Sequence, residues 1–407
     1  MYSQNEEKFD DVCRFIIKLG KSAHGYGSPA IRLENYLNRV TATFGLEGEF
    51  HSTPINMIFA FRKGEDSWQK LNLTSVSGEL DLTKLPLLDE IVDEVVAGNL
   101  SIAEAESRLK EVDKAADPYG NGIVALAYVA LGAGIAGLFS GSWLDIVFSA
   151  LLSLIVFFMV WQSGKKGDWV ADMIPFSTAL VAGGLAMIAK HTFTELNYVL
   201  VTLSAIIVLV PGYSISMGIA EILNNHVVSG LTNLVNGLVY LFKQFIGAWL
   251  AFSIVSVIWA TPTASANPID PIWLWILVPA IFMGLIIVFQ TAPRYVIWAF
   301  VCSAIGYLGV QYGGDLMGSN MGNLIGATMV GMFANTWEWK AGKPGSIVLL
   351  PAITILVSGS IGFRGLVATA QGNTAGTGQF LDMFLIAITL TAGLVIANTL
   401  VKPKKSL

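Results

Sequence analysis

Residues 196–216 read LNYVLVTLSAIIVLVPGYSIS: fifteen uncharged residues, then Pro211-Gly212, then Tyr-Ser-Ile-Ser. As a helix rising 1.5 Å per residue, such a run crosses most of the ~30 Å of hydrocarbon in a bilayer. Proline then removes a backbone donor and disfavours the helical bonds around it. The stretch therefore predicts a membrane helix that is interrupted partway.

It has company on both sides. Segments of similar length and apolarity fall at 122–138, 143–161, 171–188, 235–259, 272–290, 293–311, 319–336, 346–368 and 380–401, giving ten predicted crossings with 196–216. Turn-rich breaks separate them, among them Gly164-Lys165-Lys166-Gly167 and Lys343-Pro344-Gly345. Composition agrees: 54% of the chain is apolar, 13% is charged, and the mean hydropathy is +0.63. The charges are unevenly placed. Residues 1–118 hold 20 of the 29 acids and 13 of the 24 bases, leaving 20 charges for the remaining 289 residues. Hydrocarbon imposes such dilution, because a charge buried in it costs several kcal/mol.

Residues 1–118 read as a small soluble α+β domain, the head: helices at about 5–21 and 30–44, and strands near 47–52, 55–62 and 68–74. Helices follow at 86–97 and 101–115. Ser101 with Glu104 three residues on is a capping box for the last helix. The start, MYSQNEEKFDDVCRF, is too acidic for a secretory signal, so the head is expected on the cytoplasmic side. Lys165, Lys166, Lys243, Arg294, Lys340, Lys343, Lys402, Lys404 and Lys405 would then be cytoplasmic and Lys190 external, as the positive-inside rule asks. Both termini are expected inside.

A shift of 147 residues lays the first five segments on the last five. It also pairs Leu209-Val210-Pro211-Gly212 with Leu356-Val357-Ser358-Gly359, Gly218 with Gly365, and Asp168 with Asp315. Five is odd, so the second copy would run inverted. The expected fold is thus a polytopic α-helical membrane protein of ten helices in a 5+5 inverted repeat, with repeat 1 at 119–260 and repeat 2 with a short basic tail at 261–407. In secondary transporters of this design, substrate sites form near midplane at broken helices. Here those are the fourth and ninth segments, at Pro211-Gly212 and between Pro351 and Gly359. A purely structural kink is the other reading.

Three stretches carry a family resemblance. They are His24-Gly25-Tyr26-Gly27-Ser28-Pro29-Ala30-Ile31-Arg32-Leu33-Glu34, the run from Pro211-Gly212 to Ser229-Gly230, and Leu356-Val357-Ser358-Gly359-Ser360-Ile361-Gly362-Phe363-Arg364-Gly365-Leu366. In order and spacing over about residues 9–400 the chain resembles the threonine/serine exporter family. One departure is Ser358-Gly359 where that family has a second Pro-Gly. The resemblance implies export of small hydroxy amino acids across a bacterial cytoplasmic (plasma) membrane. Dicarboxylate export by split relatives is the runner-up, and a hydrolase-like head is a further reading. An oligomer of identical chains is compatible with it.

Few side chains could carry the chemistry. Arg364 lies between Gly362 and Gly365, and a guanidinium binds a substrate carboxylate through paired hydrogen bonds; a structural ion pair or a snorkelled charge is the alternative. Pro211, Gly212, Ser214, Ser216, Asn225, Ser358, Gly359 and Ser360 complete the expected substrate site. Glu221, Asp172 and Asp315 are the candidates for proton coupling. Glu221 also reads as a solvated turn residue, and the two aspartates as ordinary helix caps. Asp382 reads as a charge favoured by a helix N-terminus. His24, Ser28 and Asp10 or Asp11 have no spacing that supports a catalytic set. Cys13 and Cys302 suggest neither a disulfide nor a metal site. The glycines of 312–322 lack a phosphate-loop lysine, and no ATPase signature occurs, so no cofactor is expected. Nor does the charge pattern suggest a nucleic-acid partner.

Overall fold

The computed structural model describes residues 2–28, 30–62, 70–75, 81–260, 262, 264, 266–357 and 359–404. The head comes first along the chain. Helices α1 (Tyr2–Gly25) and α2 (Ala30–Thr43) precede an antiparallel sheet of β1 (Glu47–Ser52), β2 (Asn56–Arg62) and β3 (Lys70–Ser75), in the order β1-β2-β3. Along β2 the alternation puts Met57, Phe59 and Phe61 on the buried face, and Phe50 of β1 lies opposite Phe59. Helices α3 (Lys84–Val96) and α4 (Ile102–Asp113) close the layer, α4 starting at the expected Ser101–Glu104 capping box.

Twelve helices follow: α5 (Asn121–Leu138), α6 (Trp143–Ser163), α7 (Asp168–Thr192), α8 (Tyr198–Ile206), α9 (Gly212–Leu223), α10 (Val227–Ile258), α11 (Leu274–Val288), α12 (Val296–Met317), α13 (Ser319–Ala341), α14 (Ser346–Leu356), α15 (Gly359–Ala370) and α16 (Ala375–Leu400). Among the described residues, eight spans are long and apolar enough to cross a membrane. They are nine if the bent pair α8–α9 counts as one. The eighth expected crossing, 319–336, is absent from these spans; it is the 23-residue α13, whose three asparagines and Glu338 and Lys340 make it the least apolar of the set. Asn335 hydrogen bonds Asn398 (2.8 Å) and the Val401 carbonyl (2.7 Å), so this polarity is spent between helices.

The fourth predicted segment is corrected most. The helix stops at Ile206, passes through a 3₁₀ turn at Ile207–Leu209, and restarts at Gly212 with a 58° bend. The fifth then begins at Val227 rather than 235. In the ninth, Pro351 sits inside α14, and the backbone turns extended only at Val357 (φ −75°, ψ 139°). The interruption therefore falls at Val357, the position paired with Val210, which is likewise extended (φ −68°, ψ 122°). Ser358 itself lies outside the described residues.

The halves have matching parts. Helices α9 and α15 are both 12 residues long and begin 147 residues apart. Gly218 on α9 lies against the backbone of Gly230 and Leu234 on α10, and Gly365 on α15 against that of Gly376 and Phe380 on α16. Helix α16 also packs on α9 as α10 does on α15. Exposed tryptophans stand at both ends of the bundle: Trp161, Trp169, Trp298 and Trp339 near the head, and Trp143, Trp259, Trp273 and Trp275 at the far ends. Such belts belong at the two membrane–water boundaries.

The head is docked by apolar packing. Leu350 of α14 is part of the head's core, and Tyr213 and Phe289 pack against it. Leu82 N–H donates to the Phe289 carbonyl (3.2 Å), Tyr119 Oη to the Thr291 carbonyl (2.9 Å), and Glu90 pairs with Lys343. These contacts place the ends of α11 and α13 and the start of α12 beside the head.

Candidate functional site

The two helix breaks meet in the middle of the bundle. Gly212 at the start of α9 touches Gly359 at the start of α15, where a Cβ on Gly359 would come within 2.8 Å of Gly212 Cα. Beside this crossing lies a cavity of about 650 Å³. Its apolar walls come from α5, α11 and α14. Its polar lining includes Gln311, Asp315, Ser319, Asn320, Asn323, Thr354 and Asp382, joined by the first residues of α15. Asp315 and Asn320 sit at the ends of α12 and α13 remote from the head, so the polar end faces away from it.

The first N–H groups of a helix have no partner within it and carry partial positive charge. Gly359, Ser360 and Ile361 bring that end of α15 to the cavity, and Gly212 and Tyr213 bring the start of α9. Two carboxylates, Asp315 and Asp382, line the same space, while no described residue lining it is Lys or Arg. Anion-binding amides and acidic side chains together complement a zwitterion better than a dianion.

A second pocket of about 290 Å³ lies on the head side of the crossing. The head lines it with His24, Ser28 and the Ser52–Pro54 turn; α9 and α10 supply Tyr213, Ser214, Glu221, Ser229 and Asn233. Glu221 is 4% exposed and accepts hydrogen bonds from Ser229 Oγ (2.9 Å) and Asn233 Nδ2 (2.8 Å). Close by, Glu34 of the head lies 3.9 Å from both His51 and His226. Tyr213 lines both cavities.

A family profile described as "Putative threonine/serine exporter" matches residues 14–255, more than half of the chain. The chain belongs to that family. Curated relatives include the pheromone-regulated membrane protein 10 of Yarrowia lipolytica, 22% identical over 89% of this chain and 31% of the relative. The namesake in Candida albicans is 25% identical over 86% and 32%. A Schizosaccharomyces pombe protein titled "Uncharacterized protein C7D4.12c" is 23% identical over 96% and 55%. The chain thus spans a third to about half of the length of these relatives. No solved structure matches it. These relatives are yeast proteins, two of them titled membrane proteins, so they lend the expected bacterial plasma membrane no support.

The predicted site residues of this exporter-family chain divide into three groups. Gly212, Gly359, Ser360 and Asp315 line the far cavity, and Ser214 and Glu221 the head-side pocket. Pro211 caps α9 at the break, and Ser216 is buried on α9 with its hydroxyl unpartnered among the described residues. Three are elsewhere. Arg364 is exposed on α15, its guanidinium 5.1 Å from the Phe139 ring centre, and does not line the cavity. Asp172 is exposed on α7, and Asn225 forms the exposed α9–α10 turn with φ 67°. Sequence reasoning undervalued Asp382, seven residues inside α16 rather than at its start, and missed Tyr213 and Asn320. Asp382 carried one usable signal, a carboxylate within an otherwise apolar run.

Proposed function

We propose that this chain is a secondary exporter of small amino acids of the threonine/serine kind, working by alternating access through the two cavities. The observation that carries this reading is the pair of cavities on opposite sides of the Gly212–Gly359 crossing, both bordered by Tyr213. A path divided at its middle by two broken helices can open to one side at a time when the helices tilt. The matching parts of the halves support a 5+5 inverted repeat, with α8–α9 and α14–α15 as its broken helices and α13 as its eighth crossing.

In this reading the substrate carboxylate meets the free amides at the starts of α9 and α15, and its ammonium meets Asp315 and Asp382. Glu221 on the head side and Asp315 on the far side are the groups placed to exchange protons with the two solutions. With the head and both termini cytoplasmic, the far cavity is the external one. A dicarboxylate substrate fits less well, because two carboxylates line the cavity without a cation among its described residues. Proteoliposome efflux of labelled threonine, serine and succinate, with and without a pH gradient, tests the proposal. Threonine and serine should move, faster with the gradient. Movement of succinate alone, or of none of the three, would sink it.

A further inference from the structure

The head-side pocket contains polar groups that the transport cycle above does not use. His24, at the end of α1, is 9% exposed and places Nε2 2.7 Å from the Thr53 carbonyl. A carbonyl only accepts, so this hydrogen bond assigns the proton of the neutral ring to Nε2 and leaves Nδ1 an acceptor. Nδ1 has no partner among the described residues, nor has the hydroxyl of Ser28, 8% exposed. Buried polar atoms are rarely left so, because each forfeits its hydration without compensation. Both residues line the pocket that Glu221 borders from α9.

We propose that these three side chains form an inner binding site in which the head reads the hydroxyl of a hydroxy amino acid. The proposal rests on the exporter reading and adds the residues that set selectivity. Glu221 takes the ammonium group. The substrate hydroxyl donates to His24 Nδ1 and accepts from Ser28 Oγ, and Ala30, Pro54 and Met217 supply the apolar wall for a methyl group. A volume of about 290 Å³ admits a molecule of threonine's size. Succinate offers no ammonium for Glu221, and an amino acid without a hydroxyl leaves the His24 and Ser28 atoms unpaired. Sites built around a buried hydrogen bond reject analogues that lack the matching group.

The test uses the purified full-length protein in nanodiscs and compares binding of L-threonine and L-2-aminobutyrate, which differ only by the hydroxyl. The unsubstituted protein should prefer threonine by about tenfold or more. Ser28→Ala, a small change that keeps the His24–Thr53 bond, and His24→Ala should each erase most of that preference by weakening threonine alone. Glu221→Gln should weaken both ligands. Equal binding of the two by the unsubstituted protein, failure to bind either, or a preference that survives Ser28→Ala would overturn the site. If the binding pattern holds while proteoliposomes move no threonine, the exporter reading fails and the head site stands.

Discussion

Gly212 and Gly359, 147 residues apart, lie against each other so closely that neither has room for a side chain. A Cβ on Gly212 would fall 3.0 Å from Gly359 N and 2.4 Å from Val357 Cγ1, and one on Gly359 would fall 2.8 Å from Gly212 Cα. Backbone cannot yield as a side-chain tip can, so one methyl group must push α9 and α15 apart. Gly359→Ala should therefore cut threonine efflux by about tenfold or more, the usual scale when reacting or binding groups shift by an ångström. Expression and membrane insertion should stay near those of the unsubstituted protein. Full efflux by this variant would show that the crossing is not part of the path.

Arg364 provides a test between the two ways of holding the substrate. Its guanidinium lies over Phe139 at the cavity rim, whereas Asp315 and Asp382 line the cavity itself. Arg364→Lys keeps the charge and should change the threonine KM by no more than about threefold, the loss of one exposed cation–π contact. Asp382→Asn removes a charge that faces the ammonium group in the proposed binding mode and should raise KM about tenfold or more. The reverse ranking would return Arg364 to the substrate site.

Docking of the head sets apolar packing against charge. Leu350 is 3% exposed within the head's core. Leu350→Ala should weaken docking by about 2–5 kcal/mol, as buried leucine truncations do. Glu90 faces Lys343 and Arg294 from the surface, with 42% of its side chain exposed, so Glu90→Ala should cost at most about 1 kcal/mol. Proteolysis of the segment 117–120, which joins the head to α5, reads the difference. It should accelerate strongly in the first variant and slightly in the second, and the slight effect should vanish in high salt.

At the start of α4, Ser101 N–H and Oγ both donate to Glu104 (2.9 and 2.7 Å), which holds this carboxylate below its ordinary value of 4.5. A depressed folded-state pKa contributes stability that is present above the unfolded value and lost as pH falls through the folded one. Amide exchange at the start of α4 should thus speed up as pH drops below about 4.5, after correction for intrinsic rates. Ser101→Ala should make it fast at all pH values and remove most of that dependence. A cap that resists acid would contradict the assignment.

What the sequence disclosed followed the range of each interaction. The Ser101–Glu104 box and the β2 alternation are set by neighbours within a few residues, and they were legible. So were eight of the ten expected spans, nine with the bent α8–α9 pair, because hydrocarbon tests every residue of a long run. The 147-residue repeat located Gly212 and Gly359 as partners without showing that they touch. Arg364 was singled out because the flanks Gly362 and Gly365 suggested room for a ligand. In the fold those glycines admit Met383 and the Phe380 backbone of α16, while Arg364 points to the other face of α15. The head-side pocket was illegible, since His24 and Ser28 meet Glu221 only when the head docks on α14 some 320 residues later. No local pattern records such a meeting.

Tyr213 follows directly on the crossing, lines the cavity on either side of it, and packs against the head's core. In the proposed cycle a ring in that position separates the two cavities and is braced by the head, so it must move when access alternates. Tyr213→Ala should join the cavities: threonine should then leak down its own gradient, and added protons should pass without substrate. Tyr213→Phe keeps the ring and should retain tight, gradient-driven efflux. Counterflow, which needs a path that opens to one side at a time, should persist in the phenylalanine variant and collapse in the alanine variant. A pH-sensitive dye trapped in the vesicles follows the proton leak in the same samples. If the alanine variant still drives threonine uphill with no leak, the barrier lies elsewhere on the crossing, and the apolar contact of Gly212 with Val357 and Gly359 becomes the structure that must open.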